Sequence, residues 1–140
     1  MNADKITLAR ALHDLGVTRE WEWKEDDEFY CNGFTSRVYL VEEETLVRDG
    51  ELYADDTCYF PLKKCFPIPS CDWLWAWLWK NGYRVVQVSD TIYDLEKENT
   101  RRGEDDWDWE HQIEAFSLHV ALLTACVWVA EKEAANENRP

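Results

Sequence analysis

Trp73, Trp75, Trp77 and Trp79 stand at alternate positions in the short stretch between Ser70 and Asn81. Tryptophan has the largest apolar side chain, and its indole N–H wants an acceptor when buried. Four so close together demand either a deep core or a partner surface. No other stretch limits the fold so strongly. Strict alternation is the period of a strand, in which residues two apart share a face. The flanks point to a helix instead. Pro69 stops any preceding strand, Ser70 is a good N-cap and Asp72 falls in the first turn. Gly82 stands where a left-handed C-terminal cap belongs. The spacing predicts a helix over residues 71–81. On a wheel Trp73 and Trp77 form one stripe with Leu74 and Leu78 beside it, and Trp75 and Trp79 lie nearly opposite. A helix apolar almost all round is either sandwiched within its own domain or half exposed at an interface.

The surface must carry the opposite character, because the formal net charge is −14. Nucleic-acid backbones need a positive footprint, so direct nucleic-acid binding is disfavoured, as are anionic membranes. A basic partner surface is favoured, or simply a self-repelling, soluble one. The 140 residues are read as one domain over 1–135 with a frayed tail at 136–140. The five cysteines lack the close pairing of a zinc knuckle. Cys126, in an apolar stretch, reads as a small buried hydrophobe. Reduced thiols fit a cytoplasmic protein. Residues 1–16 carry scattered charges where a signal peptide would have an apolar core, and residues 120–130 are too short to span a bilayer.

Residues 3–15 are expected to form an amphipathic helix ended by Gly16. Trp21–Lys24 alternates and reads as a short strand, followed by an acidic loop at 25–28. Residues 37–41 are a second strand candidate. Residues 45–48 and 51–53 flank Asp49-Gly50, a hairpin signal. Residues 57–60 add a strand before the segment of Pro61, Pro67 and Pro69. Residues 83–88 are rich in β-branched side chains and make the clearest strand. Residues 94–103 are polar and read as a loop. A long helix is expected over 106–135, capped by Asp106, with one seam through Trp109, Ile113, Phe116, Val120, Leu123, Val127 and Ala130. A second seam runs through Leu118, Leu122, Ala125 and Val129. The fold class is α+β: a mainly antiparallel sheet carrying an N-terminal helix, the Trp-rich helix and a long C-terminal helix.

Three segments together resemble a known group. They are Leu12–Gly16, Trp21-Glu22-Trp23, and the run from Pro69 through Ser70, Asp72, Trp73 and Trp77 to Leu78. In outline they are similar to small uncharacterised proteins encoded by tailed phages and prophages. Those proteins have a short helix with a Leu-x-x-x-Gly turn, a Trp-containing strand, a helix opening on Pro-Ser/Thr, then a strand and an apolar helix. The chain departs from them in its richness in Trp, Cys and acid. The resemblance implies a viral or mobile-element origin, with action in the host-cell cytoplasm, and no active site to carry over.

Chemistry-bearing constellations are sparse. His111 and His119 would lie two turns apart on the long helix, and His111 with Glu114 repeats no di-metal pattern. There is no Gly-x-Ser-x-Gly elbow or Gly-rich phosphate loop. Cys31, beside Asn32-Gly33, would be an exposed turn thiol held protonated by neighbouring acids. The chain is therefore expected to be non-enzymatic, without cofactor or metal. The carboxylates come in runs at 25–28, 42–44, 55–56 and 104–110. Each run is either a solvated loop or helix start, or part of one acidic face aimed at a basic partner. Trp107 and Trp109 within the last run are either interface anchors, since Trp is enriched at binding hot spots, or packed against the sheet, Trp109 especially. The expected partner-binding residues are Glu104, Asp105, Asp106, Trp107, Asp108, Trp75 and Trp79. The expected function is to bind the basic surface of a host protein or complex, as an inhibitor of host defence or of nucleic-acid handling. The alternative is an assembly protein that forms a homodimer through its Trp-rich and long helices.

Overall fold

The structure, a computed structural model, describes residues 2–24, 26–31, 39–41, 47–48, 51–54, 58–99 and 106–137. A single domain over 1–135 was expected. The chain divides into two compact units, Met1–Ser70 and Cys71–Pro140. Among the described residues every strand pairing is antiparallel, and helices stand at the N-terminus, at the Trp-rich run and at the C-terminus. This is an α+β protein. Its strands form three three-stranded sheets where one main sheet was expected.

In the first unit, helix α1 (Asn2–Asp14) buries Ala9 and Leu12. It ends at Gly16, whose φ of 89° is the left-handed geometry that costs glycine nothing. Gly16 N–H donates to His13 O and Val17 N–H to Leu12 O, both at 3.0 Å, which closes a Schellman cap. Residues 21–24 are not the expected strand. The Asp27 carboxylate accepts the Trp21 indole N–H at 3.1 Å and the Lys24 N–H at 2.8 Å, and this folds the stretch into a turn.

Strand β1 (Glu28–Cys31) pairs with β2 (Tyr39–Leu40), while β3 (Val47–Arg48), β4 (Glu51–Ala54) and β5 (Cys58–Pro61) form the second sheet. Arg48 lies opposite Glu51, the register of a tight hairpin. Asp49-Gly50 itself is outside the described residues, as are residues 37–38, 45–46 and 57 of the expected strands. After a 3-10 turn, β6 (Cys65–Ile68) pairs along the other side of β1. That strand was hidden by its proline. Pro67 fits because β6 is an edge strand, where a missing N–H does not break a ladder between two neighbours. Phe29, Cys31, Val41, Phe60 and Cys65 form a buried cluster, with Trp23 against it.

In the second unit, α2 (Cys71–Lys80) confirms the helical reading of the Trp run. Leu74 and Leu78 point straight into the core and are fully buried. Trp73 and Trp77 flank this stripe half-buried, and Trp75 and Trp79 flank it on the exposed side. Gly82, with φ 83°, ends the helix and leads into β7 (Tyr83–Gln87). Two expectations fail beyond it. Residues 92–98 form β8 (Ile92–Glu98), where a loop was expected, and residues 107–114 form β9 (Trp107–Glu114), where a helix was expected. Burial alternates along the first part of β8, as in a strand with one wet face, whereas β9 changes face at an irregularity opposite Leu95/Glu96. The last helix, α3 (Leu118–Glu137), begins after Ser117, whose Oγ accepts the Val120 N–H at 3.2 Å. Asp106 is therefore no helix cap, while Asn136 and Glu137 extend the helix into the expected tail. Of the expected first seam, Trp109 and Phe116 are exposed. Leu118, from the second, is exposed as well, while Leu122, Ala125 and Val129 are buried.

The sheet order is β7-β8-β9, and α2 and α3 pack on one face of it. Tyr83, Val85, Tyr93, Leu95 and Ile113 face that core. Among the described residues no helix is long and apolar enough to cross a membrane.

Candidate functional site

Of the expected binding residues, the outer face of the β7-β8-β9 sheet presents Trp107, and Trp79 of α2 reaches its ring. Because Tyr93 and Leu95 point inward, Asp94, Glu96 and Glu98 of β8 point outward in one row. Glu98 lies opposite Trp107 and Glu96 opposite Trp109. Carboxylates of the central strand therefore stand beside tryptophans of the edge strand. An irregularity opposite Leu95/Glu96 lets both tryptophans face out while His111 and Ile113, further along β9, face in.

Specific bonds hold this face. The Trp109 indole N–H donates to Asp94 Oδ1 at 3.2 Å, yet the residue keeps 60% of its surface exposed. Arg84, from β7, donates to Glu96 Oε1 at 2.7 Å and lays its guanidinium 4.4 Å from the centre of the Trp107 ring. Trp79, at the end of α2, meets the same ring at 5.4 Å. The result is a stack of Trp79, Trp107 and Arg84, closed by Glu96. Asn99 ties down the start of β9. Its N–H donates to Asp106 O and its side-chain amide to Asp108 Oδ2, both at 2.8 Å.

Of the expected residues, Asp106, Trp107, Asp108 and Trp79 come together here. Trp75, 40% exposed, lies one turn before Trp79 on the same side of α2. Glu104 and Asp105 lie outside the described residues, as do the acidic runs at 42–44 and 55–56. Arg84, Asp94, Glu96, Glu98 and Trp109 were not among the expected residues. The alternation along the first part of β8 carried information, but the density of charge read as loop and helix start.

His111 sits in β9 and His119 in α3, not together on one helix. His111 stacks on Trp128 at 5.5 Å, and Lys132 lies over the same indole while bonding Glu110 at 3.4 Å. Among the described residues no three His, Cys, Asp or Glu side chains converge as metal ligands. Cys31 is not an exposed turn thiol: it is fully buried in β1, and burial, not neighbouring acids, pushes its pKa up. Burial also pushes Cys65 and Cys126 far up. Comparison with protein-family models, curated proteins and solved structures finds no match to this chain.

Proposed function

We propose that this is a small acidic, non-enzymatic protein that binds the basic surface of another protein through the outer face of its second unit. The carrying observation is the row Asp94, Glu96 and Glu98 beside Trp107 and Trp109. The exposed indole of Trp109, with that of Trp79, supplies the apolar anchors that dominate binding energy, and the nearby carboxylates select a cationic partner and speed its approach. Among the described residues of the cluster, the Arg84 cation is engaged by Glu96 and Trp107. The resemblance to phage-encoded proteins makes the partner a host defence or nucleic-acid-handling complex, whose basic groove the acidic face would occupy in the host cytoplasm.

The test is capture from a bacterial lysate by wild-type protein, by Trp109→Ala and by Glu98→Lys. A basic protein retained by the wild type at low salt, released at high salt and lost with both variants supports the reading. Retention unchanged by both variants, or no basic protein at all, overturns it.

A second reading is the homodimer. Phe116 is 92% exposed and Leu118 follows it at the start of α3. Together with Trp75 and Trp79 they are apolar surface that a second copy would cover. Light scattering at high micromolar concentration separates the two readings, since a strict monomer excludes the dimer.

A further inference from the structure

We propose that Cys31 and Cys65 form a redox-sensitive pair that closes to a cross-strand disulfide when the protein meets a peroxide. The two residues stand directly opposite each other in the antiparallel β1–β6 ladder. Opposed residues in such a ladder have Cα atoms about 4.5–5.5 Å apart. That lies inside the range of about 4.4–6.8 Å that a disulfide spans without backbone movement. Both are free thiols, and their side chains are within hydrogen-bonding reach of each other. The Cys65 thiol also donates to Pro61 O at 3.2 Å, which fixes its rotamer. Two cysteines buried only as small hydrophobes would not need this shared register.

The surroundings set the order of events. Both thiols sit in an apolar cluster with Phe29, Val41 and Phe60. Burial raises both pKa values, Cys65 far more than Cys31, and the Cys65 side chain, then the Lys64 ammonium, draw Cys31 part of the way back. Cys31 is therefore the thiol that ionises first. Its thiolate attacks one oxygen of the peroxide, the O–O bond breaks, and the departing hydroxide takes up the thiol proton as water. The sulfenic acid left on Cys31 has the Cys65 thiol directly opposite it in the ladder. Cys65 attacks the sulfenic sulfur, the S–S bond forms, and the hydroxyl leaves with the Cys65 proton as a second water. One peroxide is reduced and two thiols are oxidised.

The experiment treats the full chain with hydrogen peroxide, quenches in acid and counts free thiols after denaturation. The expected count falls from the five present in the chain to three, with the loss of two hydrogen atoms in intact mass. Peptide mapping without reduction joins the Cys31 and Cys65 peptides, and dithiothreitol restores the count. Cys71→Ser keeps the link. Cys31→Ser and Cys65→Ser each abolish it, and the wild-type map stands as evidence even if either variant fails to fold. A link between other cysteines, oxygen adducts with Cys31 and Cys65 unlinked, or both thiols intact where Cys71 is oxidised would overturn the proposal.

Discussion

Trp79 and Trp107 meet with ring centroids 5.4 Å apart and planes tilted by 37°, one at the end of α2 and the other at the start of β9. The contact is lopsided. Trp107 is half-buried and covered by Arg84 on top of its contact with Trp79, whereas Trp79 keeps 59% of its surface exposed. Trp107→Ala removes an aromatic pair worth about 0.5–1.5 kcal/mol and a cation–π contact worth about 0.5–1 kcal/mol, besides lost burial. Trp79→Ala removes the pair alone and should cost about 1 kcal/mol. Urea denaturation followed by far-UV circular dichroism should rank Trp107→Ala as the less stable variant. The reverse order would mean that Arg84 contributes nothing to holding the ring.

Along α2, size and cost run in opposite directions. Leu78 is fully buried, and Leu78→Ala should cost about 2–5 kcal/mol through lost transfer energy and a cavity. Trp75→Ala removes a far larger side chain that water already touches, and should cost less than about 1 kcal/mol. Denaturation midpoints of the two variants check this. A larger loss from Trp75→Ala would mean that its indole is part of the core.

The sequence carried the helical nature of this segment because Ser70, Asp72 and Gly82 bounded it, and bounding residues act locally. It did not carry which stripe faces inward. Four tryptophans dominate any wheel, yet Leu74 and Leu78 fill the core, since shape and the position of the sheet decide depth. The same dominance of one cue misread residues 107–114. Charge at Asp106 and Asp108 suggested a helix start, and the spacing of Trp109, Ile113 and Phe116 fits a helical seam, yet residues 107–114 form β9. Part of the candidate site was therefore visible as tryptophans flanked by acids. Its other half, on β7 and β8, depends on cross-strand neighbours that only the register brings together.

Two terminal devices can be tested separately. At Gly82 a Cβ would meet nothing within 4 Å, so Gly82→Ala isolates the cost of left-handed backbone, about 1–2 kcal/mol. Gly82→Asn should lose less, because asparagine tolerates that region. At the other helix, Ser117→Ala removes the acceptor for Val120 N–H and should cost about 1 kcal/mol, while Ser117→Asp retains the cap. Thermal denaturation of the four variants is the measurement. Equal stability of Gly82→Ala and wild type would contradict the φ of 83° at this position.

Alkaline pH should unfold the protein through its buried thiols. Cys126 lies in the core between α3 and α2, with its thiol directed at Leu74 O at 3.8 Å. Burial pushes its pKa far above the ordinary 9.0, as it does for Cys65, and raises that of Cys31. Below pH 9.0 the thiols are protonated in both states and have no effect on the balance. Above it the unfolded chain releases protons that the folded chain retains, so the unfolded state gains and stability falls with rising pH. One unit above the unfolded pKa, Cys65 and Cys126 each account for about 1.4 kcal/mol. Lysine and tyrosine titrate in the same range, so the informative quantity is a difference. Cys126→Ala should lower stability at pH 7, where the sulfur packs against α2, yet lose less than wild type between pH 8 and pH 10. Urea midpoints across that range, in the presence of a reductant, measure both slopes. Parallel curves would mean that the Cys126 thiol ionises in the folded protein as readily as in the unfolded one.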